Sequence, residues 1–305
     1  MKLRSVAGAA FAVALLAGCA DTPETPEEAG EVRVVTTFSL LGDLAKEIGG
    51  EHVQVHSMVP LGTDPHEYQP LPADIQHATD AHLLIWNGLD METGDGWFAN
   101  LVDVAGKDFD GAEVAEAAAG IEPLWLTDGD EEEINPHAFI SPRAGLVYVE
   151  NITEALAAVD PDNAEEYRAN GEDLREQIEE IETSYAEELA AVPTPVLVTS
   201  ERAFQYLAED YGLAEGYLWQ IDTDEQGTPS QITELIEFVQ EHEPAGLLVE
   251  TNVDPRPMQT VADETGVEIA GEVYSDELGP EGSEGETYLG YLEYNLAMFL
   301  EAMGG

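Results

Sequence analysis

The sequence predicts an α/β fold of two lobes, each a mostly parallel sheet flanked by helices, joined by one long connecting helix. Three observations carry that expectation. Short β-branched runs alternate with helix-period segments between residues 32 and 106, the same alternation returns between 195 and 274, and one long amphipathic stretch separates the two. At 305 residues the chain fits one large α/β domain or two of ordinary size, and two are expected.

In the first half "VRVVTTF" (32–38), "HVQVHSMV" (52–59) and "HLLIW" (82–86) read as strands, with helices near 40–49, 72–79 and 97–106. In the second half "PVLVTS" (195–200), "GYLWQI" (216–221), "AGLLVE" (245–250) and "VEIAGEVY" (267–274) are the strands. Helices are expected there at 202–211, 229–242, 256–265 and 286–303. Between the halves runs Asp160 to Val192, where Asp160 suits an N-cap, Pro161 the first turn and Pro193 the stop. Tyr167, Leu174, Ile178, Ile181, Tyr185, Leu189 and Val192 form a narrow apolar stripe along it. Unbroken, such a helix of about 31 residues spans roughly 46 Å and can bridge both lobes. Glycine's helix cost leaves open a break at Gly171 into two shorter helices. The expected organisation is an N-terminal lobe at 32–159, a linking helix at 160–192 and a C-terminal lobe at 193–305. The acidic run "DGDEEE" (128–133) reads as a solvated loop.

Ahead of the lobes, Lys2 and Arg4 precede a small, apolar run from Val6 to Ala17 that ends "LAGC" at Cys19. The run is too short to span a membrane and has the form of a lipoprotein signal peptide over residues 1–18, with lipid attached to Cys19. Residues 19–31, "CADTPETPEEAGE", read as a tether. Cys19 is the only cysteine, which excludes an intrachain disulfide and any cysteine-based zinc cluster.

The chain carries 64 acidic against 10 Lys and Arg residues, a formal charge of -54, yet 44% of it is hydrophobic, enough for real cores. That balance excludes nucleic acid as a partner, because phosphate binding depends on Lys and Arg. A surface so self-repelling makes sense where concentrated salt screens it, and a halophilic source is expected. With acids this abundant, a single Asp or Glu is by default a solvated surface group.

No zinc-protease motif, nucleophile elbow, Walker A loop or dinucleotide fingerprint is present, so an enzyme is not expected. Of the seven histidines, His52, His56, His77, His82 and His242 read as structural or exposed. His66 in "DPHEY" and His137 in "NPHAF" differ: each follows a proline in a loop after an apolar segment, where its imidazole can stand at the carboxyl end of a sheet. The residues alone leave ligand and turn histidine equally open for this pair. Glu67, beside His66, reads as a bystander. Glu201 in "TSERAF" and Asp276 in "VYSDEL" also directly follow strands. Ligands of open α/β sheets bind beyond the carboxyl ends of strands, so the four can converge on a cleft between lobes. Two imidazoles and two carboxylates suit a divalent transition metal.

The motifs "GTDPHEYQPLPADI", "NPHAFISP", "TSERAFQYLAEDYGL", "QGTPSQI", "VETNVDPRPMQTVADETGV" and "VYSDELG" resemble, in order and spacing, those of the metal-binding lipoproteins of ABC importers, the cluster A-I solute-binding family. The resemblance covers roughly residues 31–303. It implies an ion held between two lobes joined by one long helix, with His66, His137, Glu201 and Asp276 as the ligands. It also implies a lipid-anchored protein on the extracellular face of the cytoplasmic membrane, delivering the ion to a permease driven by a cytoplasmic ATPase. A monomer is expected. Glu201 stands where zinc-type members typically have histidine, so Mn(II) is expected ahead of Zn(II) or Fe(II). Zinc remains the alternative within the class, and a surface adhesin or structural lipoprotein the alternative outside it. A metallohydrolase is disfavoured, because four protein ligands leave little room for an activated water. Binding is expected to weaken as pH falls through about 6.5, where free histidine protonates.

Overall fold

The computed structural model describes residues 31–66, 68–92, 96–128, 131–221 and 227–305, without side chains at 127, 128, 131 and 132. The expected signal peptide, the expected tether up to Gly30, the expected lipid-attachment residue Cys19 and Glu67 lie outside the described residues.

The first half contains β1 (Val32–Thr36), α1 (Ser39–Gly49), β2 (Val53–Ser57), α2 (Pro72–Asp80), β3 (Leu83–Trp86), α3 (Trp97–Val104) and β4 (Val114–Glu116). All its ladders are parallel, and the strand order is β2-β1-β3-β4. β3 is buried almost throughout and β1 at all but Arg33, as expected of strands in a parallel sheet with helices on its faces. The short β4 was not among the expected elements.

The acidic run differs from its expectation. β5 (Trp125–Asp128) and β6 (Glu131–Ile134) pair antiparallel as a hairpin that includes Glu131, Glu132 and Glu133. The ladder forms despite the low strand propensity of its acids. The hairpin leads into Asn135 and a single helical turn at His137–Ile140.

A second difference follows. Pro142–Val159, where no element was expected, is an 18-residue helix, α4, that buries Gly145, Tyr148, Val149, Ile152, Thr153 and Leu156 along one stripe. Asp160 closes α4 instead of opening the next helix, because its N–H returns to Leu156. The helix expected to link the lobes, α5, is therefore Ala164–Leu189, 26 residues or about 39 Å, shorter than expected at both ends.

α5 runs through Gly171 without a break. A Cβ at Gly171 would stand 2.3 Å from the Thr153 Oγ1 of α4, so the missing side chain is what lets the two helices approach. Towards its start, Asn170 donates to the Ile48 carbonyl of α1; towards its end, Tyr185 donates to Leu292. Gly171→Ala should gain about 1 kcal/mol of helix propensity and lose more through overpacking, for a net destabilisation of about 1–2 kcal/mol. Urea unfolding in high salt checks this, and a stabilised variant would place the two helices further apart.

The second half contains β7 (Val196–Glu201), α6 (Gln205–Tyr211), β8 (Ala214–Trp219), α7 (Pro229–His242), β9 (Leu247–Glu250), α8 (Arg256–Thr265), β10 (Ile269–Val273) and α9 (Tyr288–Ala302). β7 pairs in parallel with β8 and β9 with β10, while β7 and β9 lie side by side without a ladder among the described residues. The resulting order, β8-β7-β9-β10, repeats that of the first half. The fold is thus α/β with parallel sheets flanked by helices, as expected. One apolar core runs from the first sheet through α4 and α5 to α9, and a smaller one lies among β7 to β10, α7 and α8.

Candidate metal centre

His66 and His137 are placed by the same local device. In each case an Asx residue two positions earlier accepts the histidine's backbone N–H: Asp64 Oδ1 at 2.7 Å for His66 and Asn135 Oδ1 at 3.1 Å for His137. The intervening prolines, Pro65 and Pro136, stiffen these Asx turns. Asp74 fixes the far side of the His66 loop, accepting from the Tyr68 hydroxyl and the Leu71 N–H, each at 2.7 Å.

Glu201 ends β7 and Asp276 follows β10, so both carboxylates stand at the carboxyl edge of the second sheet. One donor atom each from His66, His137 and Glu201 lie within 4.8 Å of one another, and all three residues are buried. The two imidazole centroids are 5.2 Å apart. Asp276 joins on the His137 side, its Oδ1 3.1 Å from His137 Nε2 without hydrogen-bond alignment. The structure therefore gathers all four expected residues, three of them mutually close and the fourth against His137. A shared ion, bonded at about 2.0–2.2 Å to nitrogen and oxygen, would draw such donors closer together.

The surroundings prepare the donors. Asn135 Nδ2 donates to the Arg202 carbonyl and to Gln205 Oε1, which turns its Oδ1 towards His137 Nδ1 at 2.8 Å. An amide oxygen only accepts, so Nδ1 carries a proton, and Nε2 is the nitrogen left to serve as a donor to an ion. His66 Nε2 and His137 Nε2 are buried without a hydrogen-bond partner, an arrangement costly to a protein unless something ligates there. Burial, helped by His137 and opposed by the Asp276 and Asp64 carboxylates, holds the His66 imidazole below the usual histidine range. Burial alone would raise Asp276; His137, His66 and the Asn252 hydrogen bond outweigh it and keep the carboxyl below its usual range. The donors are thus a neutral imidazole and an ionised carboxylate at neutral pH, and protons compete at His66 only below the 6.5 of a free histidine.

The other histidines have contacts of their own. His52 pairs with Glu166, His56 stacks on His77, His82 meets Arg33, and His242 stacks on Phe238 in the last turn of α7.

Several supporting residues went unnoticed in the sequence: Asn135, Asp74, Glu92, Glu250 and Asn252. Only Asn135 had a legible signal, the Asx-Pro-His pattern it shares with Asp64. Glu92 is 2% exposed and accepts from Thr37 Oγ1 at 2.6 Å and from the Asn87 N–H at 2.7 Å. Asn87 in turn donates to the Pro136 carbonyl, next to His137. Burial pushes the Glu92 carboxyl up from 4.5 to about 7, against its hydrogen bonds. A carboxyl raised in the folded state keeps a proton that the unfolded chain releases. Its contribution is complete below about 4.5 and is lost as pH rises through about 7, up to about 3 kcal/mol in all. Glu92→Gln should therefore gain about 2–3 kcal/mol relative to the parent between pH 5 and pH 8. Urea midpoints at the two pH values read this, and parallel midpoints would refute it.

Known proteins resemble this chain over nearly its whole length. The sequence profile of the family described as zinc-uptake complex component A, periplasmic, matches residues 34–302. The manganese ABC transporter substrate-binding lipoprotein PsaA of Streptococcus anginosus is 35% identical over 297 residues, 96% of each chain. The iron ABC transporter substrate-binding lipoprotein MtsA of Streptococcus pyogenes serotype M6 is 34% identical over 306 residues, 99% of this chain and 98% of the relative. Among solved structures, the manganese-bound periplasmic metal binding protein from Candidatus Liberibacter asiaticus superposes with a TM-score of 0.79 at 30% identity, covering 90% of this chain and all of that one.

Proposed function

The chain belongs to the zinc-uptake complex component A family of periplasmic substrate-binding proteins, and from that premise we propose that it captures a divalent transition metal, Mn(II) foremost, for an ABC importer. The observation that carries the reading is the buried convergence of His66, His137 and Glu201, with Asp276 against His137. Capture requires no bond-making in the cargo. Neutral imidazoles and ionised carboxylates replace water around the ion, and the loaded protein docks on a membrane permease powered by a cytoplasmic ATPase. Because α5 packs on α1 and α4 as well as on α6 and α9, only small movements around the ion are expected. The relatives named as lipoproteins support an anchor at Cys19 and a place on the extracellular face of the cytoplasmic membrane.

The preference for manganese rests on the donor set. Carboxylate oxygens suit Mn(II), whereas a third imidazole in place of Glu201 would suit Zn(II) better. Asn252 Nδ2 lies 3.2 Å from Asp276 Oδ2, which occupies one lone pair of that oxygen and favours the other oxygen, Oδ1, as the donor to the ion. Zinc stays the second reading, because it outranks manganese in intrinsic affinity for nitrogen and oxygen sites and the family's description names it. Selectivity then comes from geometry and supply.

Equilibrium dialysis with elemental analysis in high salt should find one metal per chain. No stoichiometric metal would end the importer reading. Glu201→His should shift the preference towards zinc by about tenfold or more in competition between the two ions. An unchanged ratio would remove the donor-set argument for manganese.

A further inference from the structure

Both carboxylates of the site belong to the second half of the chain, and one short segment reaches both. Glu250 is the last residue of β9, with 1% of its surface exposed. Its Oε1 accepts the Glu201 N–H at 2.9 Å and the Ser200 N–H at 3.2 Å, and its Oε2 accepts the Ser200 N–H at 3.1 Å. Among the described residues β7 and β9 share no ladder, and the side-chain carboxylate supplies the acceptor for these two N–H groups. Thr199 Oγ1 donates to the Glu201 carbonyl at 2.9 Å, so the Glu201 backbone is held on both sides. Two residues beyond Glu250, the Asn252 amide donates to Asp276 Oδ2 at 3.2 Å and accepts from Ser275 Oγ at 3.2 Å. Between them, the Thr251 N–H donates to the Val273 carbonyl at 3.0 Å, tying the segment to β10.

We propose that Glu250 and Asn252 are positioning residues that set the metal selectivity of the site, Glu250 by fixing the Glu201 backbone and Asn252 by fixing which oxygen Asp276 offers. This rests on the metal-capture reading above. Neither residue is cast as a ligand. The two imidazoles come from other elements: His66 from the loop after β2, and His137 from the turn after the β5–β6 hairpin, oriented by Asn135. Disturbing the 250–252 segment therefore loosens the oxygen donors while the nitrogen donors stay in place. Manganese, which depends more on oxygen donors, should lose more affinity than zinc.

The experiment uses the full mature chain in molar salt, titrated calorimetrically with MnCl2 and with ZnCl2 in the presence of a competing chelator. Glu250→Met, which has no acceptor for the Ser200 and Glu201 N–H groups, and Asn252→Ala should each weaken manganese by about 10–100-fold, the usual scale for a contact that orients a ligand. Zinc should weaken about tenfold less. Glu250→Gln keeps the Oε1 acceptor that serves both N–H groups, and should restore most of the manganese affinity. Circular dichroism and the unfolding midpoint of the metal-free variants separate loss of fold from loss of site. Equal losses for both ions, or no loss in a folded variant, would overturn the proposal, as would Glu250→Gln behaving like Glu250→Met. The unmutated chain is the control: if it binds neither ion, the capture reading fails, whereas binding there with unaltered variants refutes only the positioning role.

Discussion

Replacing His137 with alanine should abolish stoichiometric manganese capture, lowering affinity by more than about 100-fold, beyond the range of a lost orienting contact. His137 is central to the cluster. Its ring is fully buried, one of its ring nitrogens lies within 4.8 Å of donor atoms of both His66 and Glu201, and its Nε2 is 3.1 Å from Asp276 Oδ1. The Nδ1 bond to Asn135 holds the ring in place, and alanine offers no donor atom in its stead. The variant should also lose the stabilisation that a ligand confers on the native state, about 4 kcal/mol for the parent when free metal is 1,000 times its dissociation constant. The measurements are dialysis with elemental analysis, and unfolding with and without MnCl2. A His137→Ala chain that still holds one manganese would move the site elsewhere.

Lowering salt from molar to about 0.1 M should cost the metal-free chain several kcal/mol, seen as a fall of about 10 °C or more in unfolding temperature. The screening length grows from roughly 3 Å to 10 Å over that range, so carboxylates that ignore one another in concentrated salt begin to repel. The chain has little with which to answer. Arg143, Arg168, Arg175, Arg202 and Arg256 each already lie against a carboxylate, which leaves most of the 64 acids unmatched. Thermal unfolding over a sodium chloride series tests this. A temperature that moves by less than about 2 °C would mean that the acidic surface is not an adaptation to salt.

Periodicity made much of the fold legible. The expected strands at 32–38 and 82–86 and the helices at 229–242 and 256–265 coincide with β1, β3, α7 and α8 to within two residues at their ends, because burial on a sheet or a helix face imposes a repeat that local sequence must carry. The helix α4 carries the same kind of signal, an apolar stripe from Gly145 to Leu156 behind Ser141-Pro142, and was legible on the same grounds. The hairpin through "DGDEEE" had none, since its ladder forms against the strand propensity of its acids. The expected helix through Gly171 is unbroken, and what the sequence left open there the packing explains: glycine weakens an isolated helix, but beside Thr153 it permits a packed one.

By itself, then, the sequence determined the alternation of strands and helices, the acidic surface, and four candidate residues each placed just beyond a strand or a proline. These are properties of neighbours along the chain. That His66, His137 and Glu201 share one buried point, that Asn135 fixes the His137 tautomer, and that Glu250 holds the Glu201 backbone were decided by tertiary structure alone. The physical reason is distance in sequence. Glu201 lies 135 residues from His66, Glu250 lies 49 from Glu201, and hydrogen bonds or metal contacts formed across such spans leave no local periodicity to read.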